Sequence, residues 1–93
     1  MLVLKPSGAY KTDYKKIVAA PKGRYDLGTL QFVVHELMNE RRLDPKYKDH
    51  QLSGNLHDFR DCHIQSDLVL LYKNTGEELW LVRLGSHSEI YKK

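Results

Sequence analysis

Three histidines, His50, His63 and His87, stand in separate segments of the second half of this chain, each beside a predicted strand end or turn. Free imidazole titrates near ~6.5, so it gives and takes protons close to neutral pH. If a fold brings these rings together, two of them can serve as general base and general acid, each worth roughly 10²- to 10⁴-fold in rate. Asp61 and Asp67 could orient or charge those rings. Arg83 lies at the end of an otherwise apolar stretch, where a charge is rarely buried unless paired. A guanidinium there would clamp a phosphate through two parallel hydrogen bonds and stabilise charge developing on it. Lys48 and Arg60 add attraction for an RNA backbone, and Tyr47 and Tyr91 offer faces on which a base can stack. The pattern points to chemistry on a phosphate.

The remaining reactive residues read more plainly. His35 falls on a predicted helix and His57 in a turn, and both read as surface residues. Cys62 and Trp80 read as core, Asp67 also suits a plain turn role, and Asp61 could be a structural partner for Arg60 or Arg83. No close His/Cys pair has zinc spacing, so no metal site is expected from the residues alone.

Ninety-three residues imply one domain, 1–93, with one modest core. A chain that is 41% hydrophobic and 29% charged is expected to be globular. Its formal charge of +3 suits an anionic partner. One cysteine excludes an internal disulfide and suits a reducing compartment. No apolar run is long enough to span a membrane, and Met1–Leu4 is too short for a signal-peptide core, so a cytoplasmic protein is expected.

The elements that must position the candidate groups follow from periodicity. Met1 to Leu4 reads as an edge strand, because Pro6 follows at once. Ser7 caps a helix whose apolar stripe is Tyr10, Tyr14, Ile17 and Val18, ended by Pro21-Lys22-Gly23. Asp26 caps a second helix, to about Arg41, with Leu27, Leu30, Val34 and Leu37 as its stripe and Val33 and Met38 widening it. Arg42 to Asn55 reads as a long polar loop. Asp58–Ile64, Leu68–Tyr72 and Leu79–Leu84 read as strands, and the short connections between them predict an antiparallel meander. Ser86-His87-Ser88-Glu89 has capping-box spacing, and either a single helical turn or an extended tail fits there. The order is β-α-α-β-β-β, an α+β fold in which a two-helix hairpin covers a small, mostly antiparallel sheet.

Tyr47-Lys48-Asp49-His50-x-Leu52-x-Gly54, Arg60-Asp61-x-His63, Asp67 and Arg83-x-Gly85-Ser86-His87-Ser88 resemble the motifs of YafQ-type toxins, in the RelE/ParE superfamily of bacterial type II toxin–antitoxin systems. The similarity covers almost the whole chain and includes its predicted element order. It implies a RelE/ParE-like microbial ribonuclease fold and a ribosome-dependent endoribonuclease acting on messenger RNA, without metal or cofactor. In that chemistry the ribose 2′-hydroxyl attacks the adjacent phosphate, leaving a 2′,3′-cyclic phosphate and a 5′-hydroxyl. The resemblance places His50, His63, Asp67 and His87 in the acid–base set, with Asp61 an acid of the same site. It gives Arg83 the scissile phosphate and puts Tyr91 where relatives carry an aromatic residue. Some relatives have tryptophan where this chain has Leu68. The implied partners are the ribosome with its message and a cognate, DinJ-like antitoxin, which supplies the contact to operator DNA. The assignment of acid and base stays open, with His50 and His87 taken for proton transfer because both sit on connections. A ParE-like gyrase inhibitor or an RNA-binding module are the alternatives of another class, and neither requires this set of histidines and acids.

Overall fold

The strand β1 (Val3–Pro6) hands the chain through Ser7 to helix α1 (Gly8–Ala19), in the computed structural model of residues 1–91. The Ser7 side chain accepts from the Tyr10 amide and donates to the Val82 carbonyl, so one residue caps the helix and ties it to the sheet. Such a cap is worth about 1 kcal/mol. Helix α2 (Leu27–Met38) starts at Asp26, whose carboxylate accepts from the Thr29 amide and hydroxyl. It ends at Met38 instead of near Arg41, where Glu40 takes a left-handed φ of 55°.

A short β2 (His50–Gln51), then β3 (Arg60–Gln65), β4 (Leu68–Asn74), β5 (Glu78–Gly85) and a last helix α3 (His87–Ile90) complete the described chain. The five strands order β1-β5-β4-β3-β2, with β1 parallel to β5 and every other pair antiparallel. The meander, the edge position of β1 and the α+β class are as the periodicity implied. The stretch from Arg42 to Asn55 is less irregular than expected. It holds two 3-10 turns and β2, which pairs with β3.

Alternation along the strands decides which side chains the helices cover. Cys62, Ile64, Leu68, Leu70, Tyr72, Leu79, Leu81 and Leu84 form the core with Tyr10, Ile17, Leu30, Val33 and Leu37 from α1 and α2. Val33 is fully buried and lies at the centre of the α2 stripe, with Val34 at its margin. Val18 was expected on the α1 stripe but is about half exposed, because the contact face centres on Tyr10 and Ile17. Trp80 was expected in the core but points away from it, at 40% exposed. Its neighbours Leu79 and Leu81 take the helix side of the pleat. A bulge at Val82 shifts the register, so Arg83 pairs with Leu71 and Leu84 returns to the core. The face opposite α1 and α2 is exposed at Lys5, Trp80 and His50 and closed at Asp61, Val69 and Leu71, and it carries the candidate groups.

Candidate active site

Strand pairing, more than any loop, assembles the histidines. His50 in β2 pairs with Asp61 in β3, Asp61 with Leu71 in β4, and Leu71 with Arg83 in β5, giving one row across the open face. Two residues along, His63 pairs with Val69 and Val69 with Gly85, which precedes Ser86 and His87. Helix α3 packs back on β4 and β5. It is held by a capping box: the Ser86 hydroxyl accepts from the Glu89 amide, and the Glu89 carboxylate accepts from the Ser86 amide. His87 therefore stands on a fixed helical turn and His50 on a paired strand, so neither lies on a free connection as the sequence suggested. The His63 and His87 rings are 5.0 Å apart, and the Tyr91 ring lies 5.6 Å beyond His87.

Asp61 sits beneath these rings and is only 1% exposed. Its Oδ2 accepts from the Tyr91 hydroxyl at 2.6 Å. His50 Nδ1 is 3.2 Å from Asp61 Oδ1 but donates to the Lys48 carbonyl at 2.7 Å. A ring nitrogen carries one proton, so Asp61 Oδ1 is left close to the imidazole without an aligned donor. A carbonyl can only accept, so the same bond fixes the proton of a neutral His50 on Nδ1 and leaves Nε2 as a free base. Burial and the bond to Asp61 raise the Tyr91 phenol, which stays protonated and holds the carboxylate.

Desolvation lowers the pKa of His63 most strongly, and His87, Lys48 and His50 push the same way against the raising effect of Asp61. A histidine titration followed by NMR is therefore expected to find His63 below the ordinary ~6.5. Replacing His87 by alanine should raise that midpoint, and Asp61→Asn should lower it further. A midpoint at or above the free-histidine value would contradict this placement.

Other candidates are placed differently. Asp67 is exposed in the β3–β4 turn and accepts from Gln65 Nε2 at 3.4 Å, and among the described residues it bonds to no imidazole. Arg60 lies on the helix side of the pleat with Tyr72, and its Nε donates to Asp49 at 3.2 Å, so it does not join the histidine row. Tyr47 is half-buried against Phe32 with the Lys46 amine over its ring, which limits it as a stacking face. Lys48 is exposed, in a left-handed conformation that points its carbonyl at His50. Leu68 is fully buried in the core and presents no stacking surface. Asp61 bonds to neither arginine considered for it. His35 and His57 are exposed, as read, and Cys62 is fully buried with its thiol pushed up chiefly by burial.

Arg83 reaches α1. Its Nε and Nη2 donate to Asp13 at 2.7 and 3.2 Å, and the same carboxylate accepts from the Leu84 amide at 2.9 Å. Sequence reasoning passed over Asp13. The signal was an acid three residues after Tyr10 and four before Ile17, on the buried stripe of α1, where a charge needs a partner.

The family model for a bacterial toxin of type II toxin–antitoxin systems, YafQ, matches residues 2–92. The chain belongs to the YafQ family. Among curated YafQ proteins, the mRNA interferase toxin YafQ of Escherichia coli K12 is 35% identical over 91% of this chain and 90% of that one. Among solved structures, a copper-bound mutant toxin of Helicobacter pylori matches at a TM-score of 0.89, with 38% identity over 97% of this chain and 99% of that one. The YafQ chain in a crystal structure of the E. coli DinJ–YafQ complex matches at 0.85, with 29% identity over 98% and 99% of the two chains. The copper-bound relative raises the question of a metal here. Here Asp61 Oδ2 is engaged by Tyr91 and His50 Nδ1 by a carbonyl. No group of three or more His, Cys, Asp or Glu among the described residues is disposed to hold an ion. No described helix is long and apolar enough to cross a membrane.

Proposed function

We propose that this YafQ-family toxin is an mRNA interferase, a ribosome-dependent endoribonuclease that cuts messages by intramolecular attack. The observation that carries this reading is the row on the open sheet face, where His50, His63 and His87 gather around buried Asp61 with Arg83 in register. The 2′-hydroxyl of the RNA is the nucleophile, so the protein supplies proton transfer, positioning and charge stabilisation. His50 takes the 2′-hydroxyl proton on its free Nε2. The 2′-oxygen forms its bond to phosphorus as the bond to the 5′-oxygen breaks. His87 returns a proton to that leaving oxygen, giving a 2′,3′-cyclic phosphate and a 5′-hydroxyl. Neutral His63 limits positive charge beside His87, and Asp61 with Tyr91 holds the row. Arg83 meets the phosphate with the guanidinium hydrogens that Asp13 leaves free, and Asp67 assists from the turn. Lys48 adds a contact to the RNA backbone.

The partner that restrains this activity is a DinJ-like antitoxin, as the E. coli complex suggests by analogy. An apolar groove between β1, α1 and α2, lined by Tyr10, Tyr14, Val34 and Met38 and flanked by Lys11 and Lys15, suits an amphipathic acidic segment of it. The test is 5′-end mapping of a message translated by purified ribosomes with antitoxin-free protein. In-frame cuts that vanish on naked RNA are expected. Uncut message in the presence of folded protein would defeat this reading.

A further inference from the structure

The open face carries a second row that the cleavage chemistry does not use. Lys5 in β1 pairs with Trp80 in β5, and Trp80 pairs with Lys73 in β4. The Lys73 amine lies 5.3 Å from the Trp80 ring centre and 5.7 Å from that of Phe59, just ahead of β3. Two lysines and two aromatic rings thus alternate across four segments, and Trp80 stays 40% exposed although its strand is otherwise mostly buried. Glu78 is the acid beside the row. It accepts from the indole Nε1 at 3.0 Å, which fixes the ring, and lies 3.7 Å from the Lys5 amine.

Alternating cations and aromatic faces are what a single strand of nucleic acid requires, since bases stack on the rings and phosphates meet the amines. Lys73 is two residues from Leu71, the partner of Arg83, and four from Val69, the partner of His63. At a strand rise of ~3.3 Å per residue, the two rows of side chains are about 7 to 13 Å apart on one face. We infer that Trp80, Lys73, Phe59 and Lys5 form a docking strip for single-stranded RNA, holding the part of the message that flanks the phosphate to be cut. The inference rests on the ribonuclease reading, and it adds a binding surface outside the acid–base set.

Trp80 is the only tryptophan of the chain, so its fluorescence reports on this strip alone. The experiment titrates antitoxin-free protein with a 2′-O-methyl single-stranded RNA oligonucleotide, which lacks the attacking hydroxyl, and follows emission and the polarisation of the labelled strand. Saturable quenching is expected. Trp80→Ala and Lys73→Gln should each weaken binding by about 5- to 100-fold, with Trp80→Phe recovering most of the loss. Removing Lys73 should also reduce the slope of log affinity against log salt by roughly 0.7. Circular dichroism and thermal melts confirm that each variant is folded. Unchanged affinity in both Trp80→Ala and Lys73→Gln, RNA binding without quenching, or quenching by a poly-glutamate peptide and not by RNA would each overturn the assignment. Cleavage that proceeds with no effect of Trp80 retires this strip alone. Binding through Trp80 by a protein that cuts no message retires the interferase reading and leaves the strip.

Discussion

Replacing His87 by alanine is expected to reduce ribosome-dependent cleavage by about 10²- to 10⁴-fold, the range for a lost general acid or base. The melting temperature should hardly move. His87 is exposed, and the helix it begins is fixed by Ser86 and Glu89, whose bonds do not involve the imidazole. Exposed substitutions of this kind usually change stability by less than about 0.5 kcal/mol. Single-turnover cleavage on programmed ribosomes, beside a thermal melt of the same sample, separates lost chemistry from lost fold. If His50 and His87 work in one reaction, the double alanine variant should be little worse than the more damaging single one. An His87→Ala protein that cuts within a few-fold of the parent rate would remove this imidazole from the mechanism.

The sequence made the residue types of this site legible more readily than their supports. His50, His63, His87 and Arg83 stood out because charged and titratable groups beside apolar strands need a reason to be there. Their assembly into one row depends on pairing partners far apart in sequence, and on a two-residue β2 too short to give a periodic signal. The bulge at Val82 also has no periodic signature, yet it sets Arg83 opposite Leu71 and sends Leu84 back to the core. Trp80 shows the limit from the other side. Its stretch from Leu79 to Leu84 reads as continuous apolar sequence, which suggests strands covered on both faces. Only α1 and α2 cover this sheet at Trp80, so alternation puts the indole in the open beside Lys73. Helix α2 showed a related ambiguity, where adjacent Val33 and Val34 both fit a helical stripe and packing chose Val33.

Arg83→Ala should lower cleavage by about 10²- to 10³-fold, the loss typical when one preorganised donor to developing negative charge is removed. Unlike His87→Ala, it should also destabilise the protein, because Asp13 is largely buried and would keep only the Leu84 amide as a donor. Leaving a buried acceptor short of partners costs roughly 1–3 kcal/mol. The Arg83 side chain is 33% exposed, so screening by water should hold the loss toward the lower end. Asp13→Asn provides the finer test, since it keeps the size of the side chain but removes the charge that fixes the guanidinium. Asp13 would not touch RNA and would act through Arg83 as a positioning residue. Asp13→Asn should therefore lower kcat with little change in KM, and should add almost nothing once Arg83 is alanine. A purely structural Asp13 would give the opposite pattern, with its effect multiplying fully on the Arg83→Ala background. Cleavage kinetics on the four proteins of that cycle distinguish the two, because an acid that only braces α1 against β5 matters equally with or without the arginine.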